Sequence, residues 1–491
     1  MPLVPLHPLV RQFLQGSPLP MEVNGGPYFG SQGVHPVFNP ADGSVLVEVS
    51  MAGAVDVAAA VEAAEAAFPA WAALSGAERA VHLRRLADAL EAQAEPLAQL
   101  ESLDVGKAIT AARGFDIPFG IECFRYFAGI AERSVTDLPL EIAGMEARRH
   151  FSPYGTCGFI FPWNFPFTLM CWGIAPALAA GNTAVVKASE ITPLSSLLLA
   201  RIAREAGLPP GVLNLLVGTG PDAGQPIAEH PKVKRMSFTG STRVGRQIGG
   251  LCGARLAPVK LELGGKGAAL ICADAEVATT AKKLAAALSL NTGQNCCMAT
   301  RWFVHASLYE AFVDAVSAEL AAVRIGPGLD EETQMGPLAS AEHRDRVLRY
   351  YQQGTAAGAR LLTPDDHPVM DGPGYFVRPH LLAGSDDNLC FQEEVFGPTA
   401  FVVSFRDEEE AVRRINAVPY GLANSIWTAD LHRASRLATR LVAGNNWINA
   451  HNVFSYGLPY GGVNLSGVGG GVNSPEAFED YRLATTIARP L

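Results

Sequence analysis

Residues 154–190 read YGTCGFIFPWNFPFTLMCWGIAPALAAGNTAVVKASE, with two short apolar runs, CGFIF and TAVVK, on either side of a helical one, TLMCWGIAPALAAG. The rhythm continues to about Leu263. PLSSLLLARIAREAG reads as a helix ending at Gly207, VLNLLVG as a strand and Ala223–Glu229 as a helix. VKRMSFTG follows as a strand, then a helix from Ser241, then APVKLEL as a last strand. Strands alternating with helices at this spacing predict a parallel sheet with helices on its faces, the layout of dinucleotide-binding domains. Ligands bind such sheets at the carboxyl ends of the strands. The chemically informative segments stand there: PWNFP after CGFIF, KASE after TAVVK, TGSTRVG after RMSF.

A second alternating stretch runs from about Leu270 to Trp447. Its strand candidates are GAALI, RWFVH, TAFVVSF and NSIWTA, and its helices cover Ala281–Leu290, Leu308–Val323 and Glu342–Gly358. It shares no fixed period with the first, so the chain reads as two different α/β units. The N-terminal part reads as helices. One, Val55 to Phe68, closes at Pro69; a second follows the capping box of Ser75 and Glu78, with Leu83, Leu86, Leu90 and Leu97 on one face. LPLEIAGMEARRHF and the final DYRLATTIARP alternate weakly. Two strands with no sheet of their own predict pairing with another chain or domain.

Composition bounds the function. A chain of 491 residues exceeds a single core, which stops growing at roughly 250–300 residues. Hydrophobic residues make up 48% and charged ones 18%, which excludes intrinsic disorder. Lys+Arg 38 against Asp+Glu 48 gives a net charge of −10, a poor match for nucleic acid or anionic membrane. The eight cysteines contain no CxxC pair, and the start, MPLVPLHPLVRQFLQ, lacks the apolar stretch and cleavage site of a signal peptide. Together these predict a reducing, cytoplasmic setting. No charged residue occurs from Phe151 to Val186. Four prolines in that run exclude one continuous membrane helix, so it reads as buried strand, loop and helix.

Individual residues then suggest chemistry. Cys296 lies in a polar turn, NTGQNCCMATR, where a reactive thiolate finds partial exposure and N–H donors; the bland alternative is a buried small hydrophobe. Glu262 meets a double glycine in KLELGGK. It is either a surface carboxylate pairing Lys260 or Lys266, or a buried general base beside a backbone that a ligand approaches. Asn164, stiffened by prolines in PWNFP, suits oxyanion stabilisation or simply a turn. Lys187 and Glu190 offer a cation and a ribose-binding carboxylate, or a solvated strand end. TGSTRVG, with Gly240 and Gly245, opens a helix fit for a pyrophosphate or adenosine, without being GxGxxG. His343-Arg344-Asp345 has the letters of a kinase loop but sits in an amphipathic helix with no partner motifs. No HExxH or other metal-ligand pattern occurs, so no metal is expected.

Taken together, FPWNFP, VVKASE, FTGSTRVG, KLELGGK, TGQNCCMATR, EEVFGP and PYGGVNLSG resemble, in order and spacing, the NAD(P)-dependent aldehyde dehydrogenase superfamily, from about Asn24 to the C-terminus. The resemblance implies a fold of two α/β domains with parallel sheets and a small β oligomerisation arm. Residues 1–130 and 153–262 would bind NAD, 263–462 would be catalytic, and 131–152 with 472–491 would form the arm. It implies a catalytic set of Cys296, Glu262, Asn164 and Lys187. Cys296 would attack the aldehyde to give a thiohemiacetal, held by Asn164 and the Cys296 N–H. After hydride transfer to NAD, Glu262 would activate the water that hydrolyses the thioester.

For the cofactor the resemblance implies Lys187 and Glu190 at the adenosine ribose, and Ser241, Val244, Gly240 and Gly245 at the pyrophosphate and adenine. Glu394 and Phe396 would lie near the nicotinamide, with Phe161, Trp163 and Leu263 beside the path. Glu190 would accept both ribose hydroxyls and repel a 2′-phosphate, favouring NAD over NADP. The implied aldehyde tunnel is Phe167, Met170, Trp172, Asn295, Cys297, Phe454 and Tyr456, mostly apolar or aromatic. That suits an aliphatic, aromatic or quaternary-ammonium aldehyde better than a dicarboxylic semialdehyde. Two positions depart from the pattern. Many hydrolytic members carry Lys at Gly173 and Glu at Gly471, a pair that relays protons, so deacylation is expected to differ. The alternatives are a CoA-acylating member, against which Glu262 argues, and an inactive structural relative. A homodimer or homotetramer is expected, without nucleic acid or membrane as partner.

Overall fold

The computed structural model describes residues 3–363 and 372–491. Its largest sheet has eight strands, in the order Gly467–Val468, Val259–Glu262, Arg235–Thr239, Thr156–Ile160, Thr183–Ala188, Leu213–Val217, Met21–Val23, Gly26–Tyr28. The middle five are parallel. Thr156–Ile160, Thr183–Ala188 and Leu213–Val217 are buried at every residue, which is why they read as unbroken apolar runs. From Thr156–Ile160 the chain adds two strands on one side, then returns to add Arg235–Thr239 on the other. A crevice opens at this reversal, between the segments after Ile160 and after Thr239.

The second sheet runs Arg360–Leu361, His380–Ala383, Thr399–Phe405, Ala299–His305, Gly267–Ile271, Ala423–Trp427, Asn445–Ile448. All its pairings are parallel except that of Arg360–Leu361. The strand Ala299–His305 receives the chain directly from the turn carrying Cys296.

Four sequence expectations change. The N-terminal part is not purely helical: Val34–Phe38 and Val45–Ser50 form an antiparallel pair, and Met21–Val23 joins the first sheet. These strands of three to six residues are too short for periodicity to reveal. The first helix does not close at Pro69 but runs Ala54–Ala73. Its last turn is held by Trp71, buried and donating its indole N–H to the Leu178 carbonyl at 3.2 Å. Leu97 is buried with the other leucines but belongs to a separate helix, Ala94–Val105. The two unassigned strands find each other. Arg482–Pro490 pairs antiparallel with Met145–Pro153, which pairs with Asp137–Leu140. Upstream of Arg482, Val472, Ala477, Phe478 and Tyr481 pack into the core of the first sheet.

The uncharged run is accounted for by the helix Pro166–Ala179, with Pro166 at its first turn. It packs closely on the helix Ile117–Arg133, where a Cβ on Gly120 would come 2.6 Å from the Phe167 ring. Among the described residues, no single helix is long and apolar enough to cross a membrane.

Candidate active site

A cavity of about 520 Å³ occupies the crevice. Cys296, Glu262 and Asn164 line it, with Phe161, Trp163, Trp172, Gly240, Ser241, Leu263, Asn295, Glu394, Phe396 and Phe454. The structure therefore gathers residues from both sheets around one space.

The turn before Cys296 is strained. Asn291 and Thr292 have φ of 47° and 56°, in the left-handed region. Gly293 follows at φ 70°, and a Cβ there would strike the Gly397 backbone at 2.3 Å. Asn291 donates to the Asn164 carbonyl at 2.8 Å, and Asn164 Nδ2 donates to the Gln294 carbonyl at 3.0 Å. Reciprocal bonds thus fix Asn164 to the cysteine turn. The Asn164 Oδ1 is buried without a partner, a cost borne where a reacting group is to be met. Cys296 keeps part of its surface open to the cavity. Burial pushes its thiol up to about 12, against a lowering hydrogen bond from Tyr460.

Glu262 is buried, and its Oε1 has no hydrogen-bond partner. Burial raises its carboxyl to about 8, partly offset by Lys260. The surface-pair alternative fails. Lys260 donates to the Gly471 carbonyl and pairs with Asp480 at 3.0 Å, while Lys266 donates to the Cys390 carbonyl. The double glycine serves packing against protein. A Cβ on Gly264 would meet Glu394 Oε2 at 2.3 Å, and one on Gly265 the Cys296 carbonyl at 2.5 Å. The Gly265 N–H donates to Glu394 Oε1 at 2.8 Å.

Lys187, near the end of Thr183–Ala188, faces Glu190, just beyond that strand, at 3.4 Å; both are outside the cavity lining, as are Val244 and Gly245. Ser241 caps the helix Thr242–Ala254. Gly245 is required there because a Cβ would lie 2.4 Å from Leu263. Of the tunnel residues, Trp172, Asn295 and Phe454 line the cavity. Phe167 and Met170 do not; both are fully buried, because the helix turns them away from the face bearing Thr168, Leu169 and Trp172. Cys297 is buried behind its neighbour, its Sγ at 3.2 Å from Asn295 Oδ1 and 3.3 Å from Asn452 Oδ1. Tyr456 donates to the Phe119 carbonyl and stacks on that ring at 4.6 Å, outside the lining.

Sequence reading missed several lining residues. His343, set aside within its amphipathic helix, lies 4.8 Å from Trp163 and bonds the Phe396 carbonyl at 2.7 Å. Arg346 donates to the carbonyls of Glu394 and Val395. Together they clamp a loop whose Phe396 has φ 60°. Phe115 and Tyr460 complete the aromatic wall. No local pattern marks these residues; only the packing of distant segments brings them in.

The family model for the aldehyde dehydrogenase family matches residues 29–487. A phenylacetaldehyde dehydrogenase of Pseudomonas fluorescens is 41% identical, covering 88% of each chain. A 2-aminomuconic semialdehyde dehydrogenase of Bos taurus is 37% identical, covering 94% of this chain and 96% of its own. The solved NAD+ complex of an aldehyde dehydrogenase from Bacillus cereus superposes with a TM-score of 0.96 at 36% identity, covering 100% of both chains. The chain belongs to the aldehyde dehydrogenase family. It is an oxidoreductase that oxidises an aldehyde with NAD as cofactor.

Proposed function

We propose that this chain oxidises an apolar, aryl-bearing aldehyde to its carboxylic acid, with Cys296 as nucleophile and Glu262 as the base for hydrolysis. The observation that carries the reading is one cavity holding Cys296, the unpartnered Glu262 Oε1 and the tethered Asn164. The Cys296 sulfur adds to the carbonyl carbon, and its proton goes to the Glu262 carboxylate. The second N–H of Asn164 and the Cys296 backbone N–H stabilise the oxyanion. Glu262 releases the thiol proton to solvent before hydrolysis; its carboxylate then deprotonates the water that attacks the thioester, and the C–S electron pair returns to Cys296.

The residues present fit NAD. The cavity extends to the capped N-terminus of Thr242–Ala254, suited to a pyrophosphate, and Glu190 stands beside Lys187 for the adenosine ribose. When bound, NAD supplies the hydride acceptor. Glu394, held by Gly265, and Phe396 would border its nicotinamide end. We assign residues 1–130 and 153–262 to cofactor binding, 263–462 to catalysis, and 131–152 with 472–491 to an oligomerisation arm, of which Val472, Ala477, Phe478 and Tyr481 anchor the strand Arg482–Pro490 to the core of the first sheet. The eight cysteines are free, which suits a cytoplasmic location.

The two relatives are named for chemically different aldehydes, so the substrate class rests on the walls. Phe115, Trp172, Phe454 and Tyr460 form a contiguous aromatic surface, with centroids 5.3–5.9 Å apart. Of the charged lining groups, Arg346 is committed to the Glu394 loop and Arg243 stands on the cofactor-end helix. An NADH-formation panel of phenylacetaldehyde, hexanal, betaine aldehyde and succinic semialdehyde, each with and without CoA, tests this. The highest kcat/KM is expected for phenylacetaldehyde, without CoA dependence. A preference for the dicarboxylic semialdehyde would overturn the substrate class, and a CoA requirement the hydrolytic route.

A further inference from the structure

The Cys296 sulfur lies among groups that disfavour its charge. Glu262 and Glu394 both oppose the thiolate electrostatically, and Cys297 adjoins it. The cations around the cavity are engaged elsewhere. Arg346 serves the carbonyls of Glu394 and Val395, Lys260 is paired with Asp480, and Arg243 lies on the exposed helix start. Neither nearby imidazole supplies an imidazolium. Burial drives His343 and His451 down to about 4, and each binds a backbone carbonyl. Among the described residues, the usual cationic means of activating a thiol are therefore missing at this sulfur.

Two side-chain polar atoms reach it, and only one can donate: Asn295 Oδ1, an acceptor, lies at 4.0 Å. The Tyr460 hydroxyl lies 3.4 Å from Cys296 Sγ. Tyr460 is 6% exposed. Its backbone is pinned by reciprocal bonds with Val472 at 3.0 and 2.7 Å, and its ring packs on Phe454 at 5.3 Å and Trp172 at 5.8 Å. The hydroxyl is thus delivered to the sulfur by a rigid support.

We propose that Tyr460 is a catalytic residue whose O–H donates to the Cys296 thiolate, both when the thiol ionises and when it leaves the thioester. With the thiol intact, either atom can donate. Once the proton has passed to Glu262, only the phenol can. Tyr460 keeps its proton throughout, because burial and the charges of Cys296 and Cys297 hold its ionisation well above the ordinary range. In hydrolysis, water adds to the thioester carbon, the C–S bond breaks, and the electron pair returns to a sulfur already facing this donor. Gly471, which packs against the Tyr460 backbone next to its bridge partner Val472, carries no side chain that could do this.

The inference rests on Cys296 being the nucleophile, and the test separates the two. Alkylation of the cofactor-free enzyme by iodoacetamide, measured from pH 6.5 to 9.5, reports the thiolate fraction of Cys296, with Cys296→Ala as the blank. Tyr460→Phe keeps the aromatic wall and removes one oxygen. It is expected to slow alkylation about tenfold at each pH below the midpoint, since a hydrogen bond to a charged group shifts the ionisation by roughly one unit. Steady-state kcat is expected to fall with KM for the aldehyde little changed. Alkylation within about twofold of the parent would overturn the role of Tyr460 and leave the nucleophile assignment standing. Undiminished NADH formation by Cys296→Ala would overturn the assignment itself.

Discussion

The ring of Phe161 fills the space above Gly173: a Cβ on Gly173 would lie 2.4 Å from Phe161 Cζ. Phe161 is itself buried and stacks on Phe159 at 5.9 Å. The position where the family resemblance implies a relay lysine is therefore closed by an aromatic ring. Restoring a side chain there should not restore a relay. Gly173→Ala is expected to cost about 1–3 kcal/mol by overpacking, or to push Phe161 into the cavity it lines and raise KM for NAD. Thermal denaturation with NAD titration checks both, and no change in either would show the site to be roomier than described.

Two adjacent cysteines face different surroundings. Cys296 opens to the cavity, whereas Cys297 lies behind it among the amide oxygens of Asn295 and Asn452. Cys296→Ala is expected to reduce NADH formation by roughly 10³ or more. Cys297→Ala should lose less than about tenfold, with lower stability from the small void. The reverse ranking would move the nucleophile by one residue.

Glu262 sets a pH dependence whose sign follows from its burial. Raised to about 8 from 4.5, it binds a proton in the folded state that the unfolded chain has already released. Between those pH values folding stability falls as pH rises. Hydrolysis by the carboxylate rises over the same range, with an inflection near pH 8. Glu262→Gln should abolish the inflection and gain thermal stability relative to the parent at pH 8.5 compared with pH 5. Lys260→Met, which removes the main group offsetting that burial, should move the inflection upward. Parallel melting profiles of parent and Glu262→Gln would contradict the account.

The central strands were legible because burial on both faces leaves a plain apolar signature, and the candidate residues stand at their ends: Asn164 in the loop after Thr156–Ile160, Lys187 and Glu262 within the last two positions of Thr183–Ala188 and Val259–Glu262, and Cys296 in the turn before Ala299–His305. Tyr460, Phe115, His343 and Arg346 were not, since each reaches the cavity from a segment whose local pattern shows only a loop or an amphipathic helix. Phe167 and Met170 show the complementary failure. The resemblance placed both with Trp172 on the tunnel wall, but on the helix Pro166–Ala179 they stand five and two positions from Trp172 and are turned to other faces.

Glu190 provides a test of cofactor choice. Its carboxylate, 3.4 Å from Lys187 Nζ, would accept both ribose hydroxyls and repel a 2′-phosphate. Kinetics with both cofactors should give the higher kcat/KM with NAD. Glu190→Ser should narrow the preference by roughly tenfold or more, because it removes the repulsion and frees Lys187 for the phosphate. A variant with unchanged preference would place selectivity elsewhere.

The small sheet of Asp137–Leu140, Met145–Pro153 and Arg482–Pro490 offers the last prediction. Its two outer strands have unpaired edges among the described residues, and such edges invite another strand. Leu138, Met145, Leu483 and Ile487 are all exposed on it, at 45%, 37%, 42% and 40%. Apolar side chains on an open-edged sheet indicate a covered interface. The enzyme should therefore scatter light as a dimer or a dimer of dimers. Leu483→Asp with Ile487→Asp should lower that mass, because like charges would be buried against each other across a symmetric contact. The Cys296 cavity is built from segments outside this sheet, so alkylation of Cys296 by iodoacetamide should proceed in the dissociated variant. A parent enzyme that is monomeric at micromolar concentration would refute the interface.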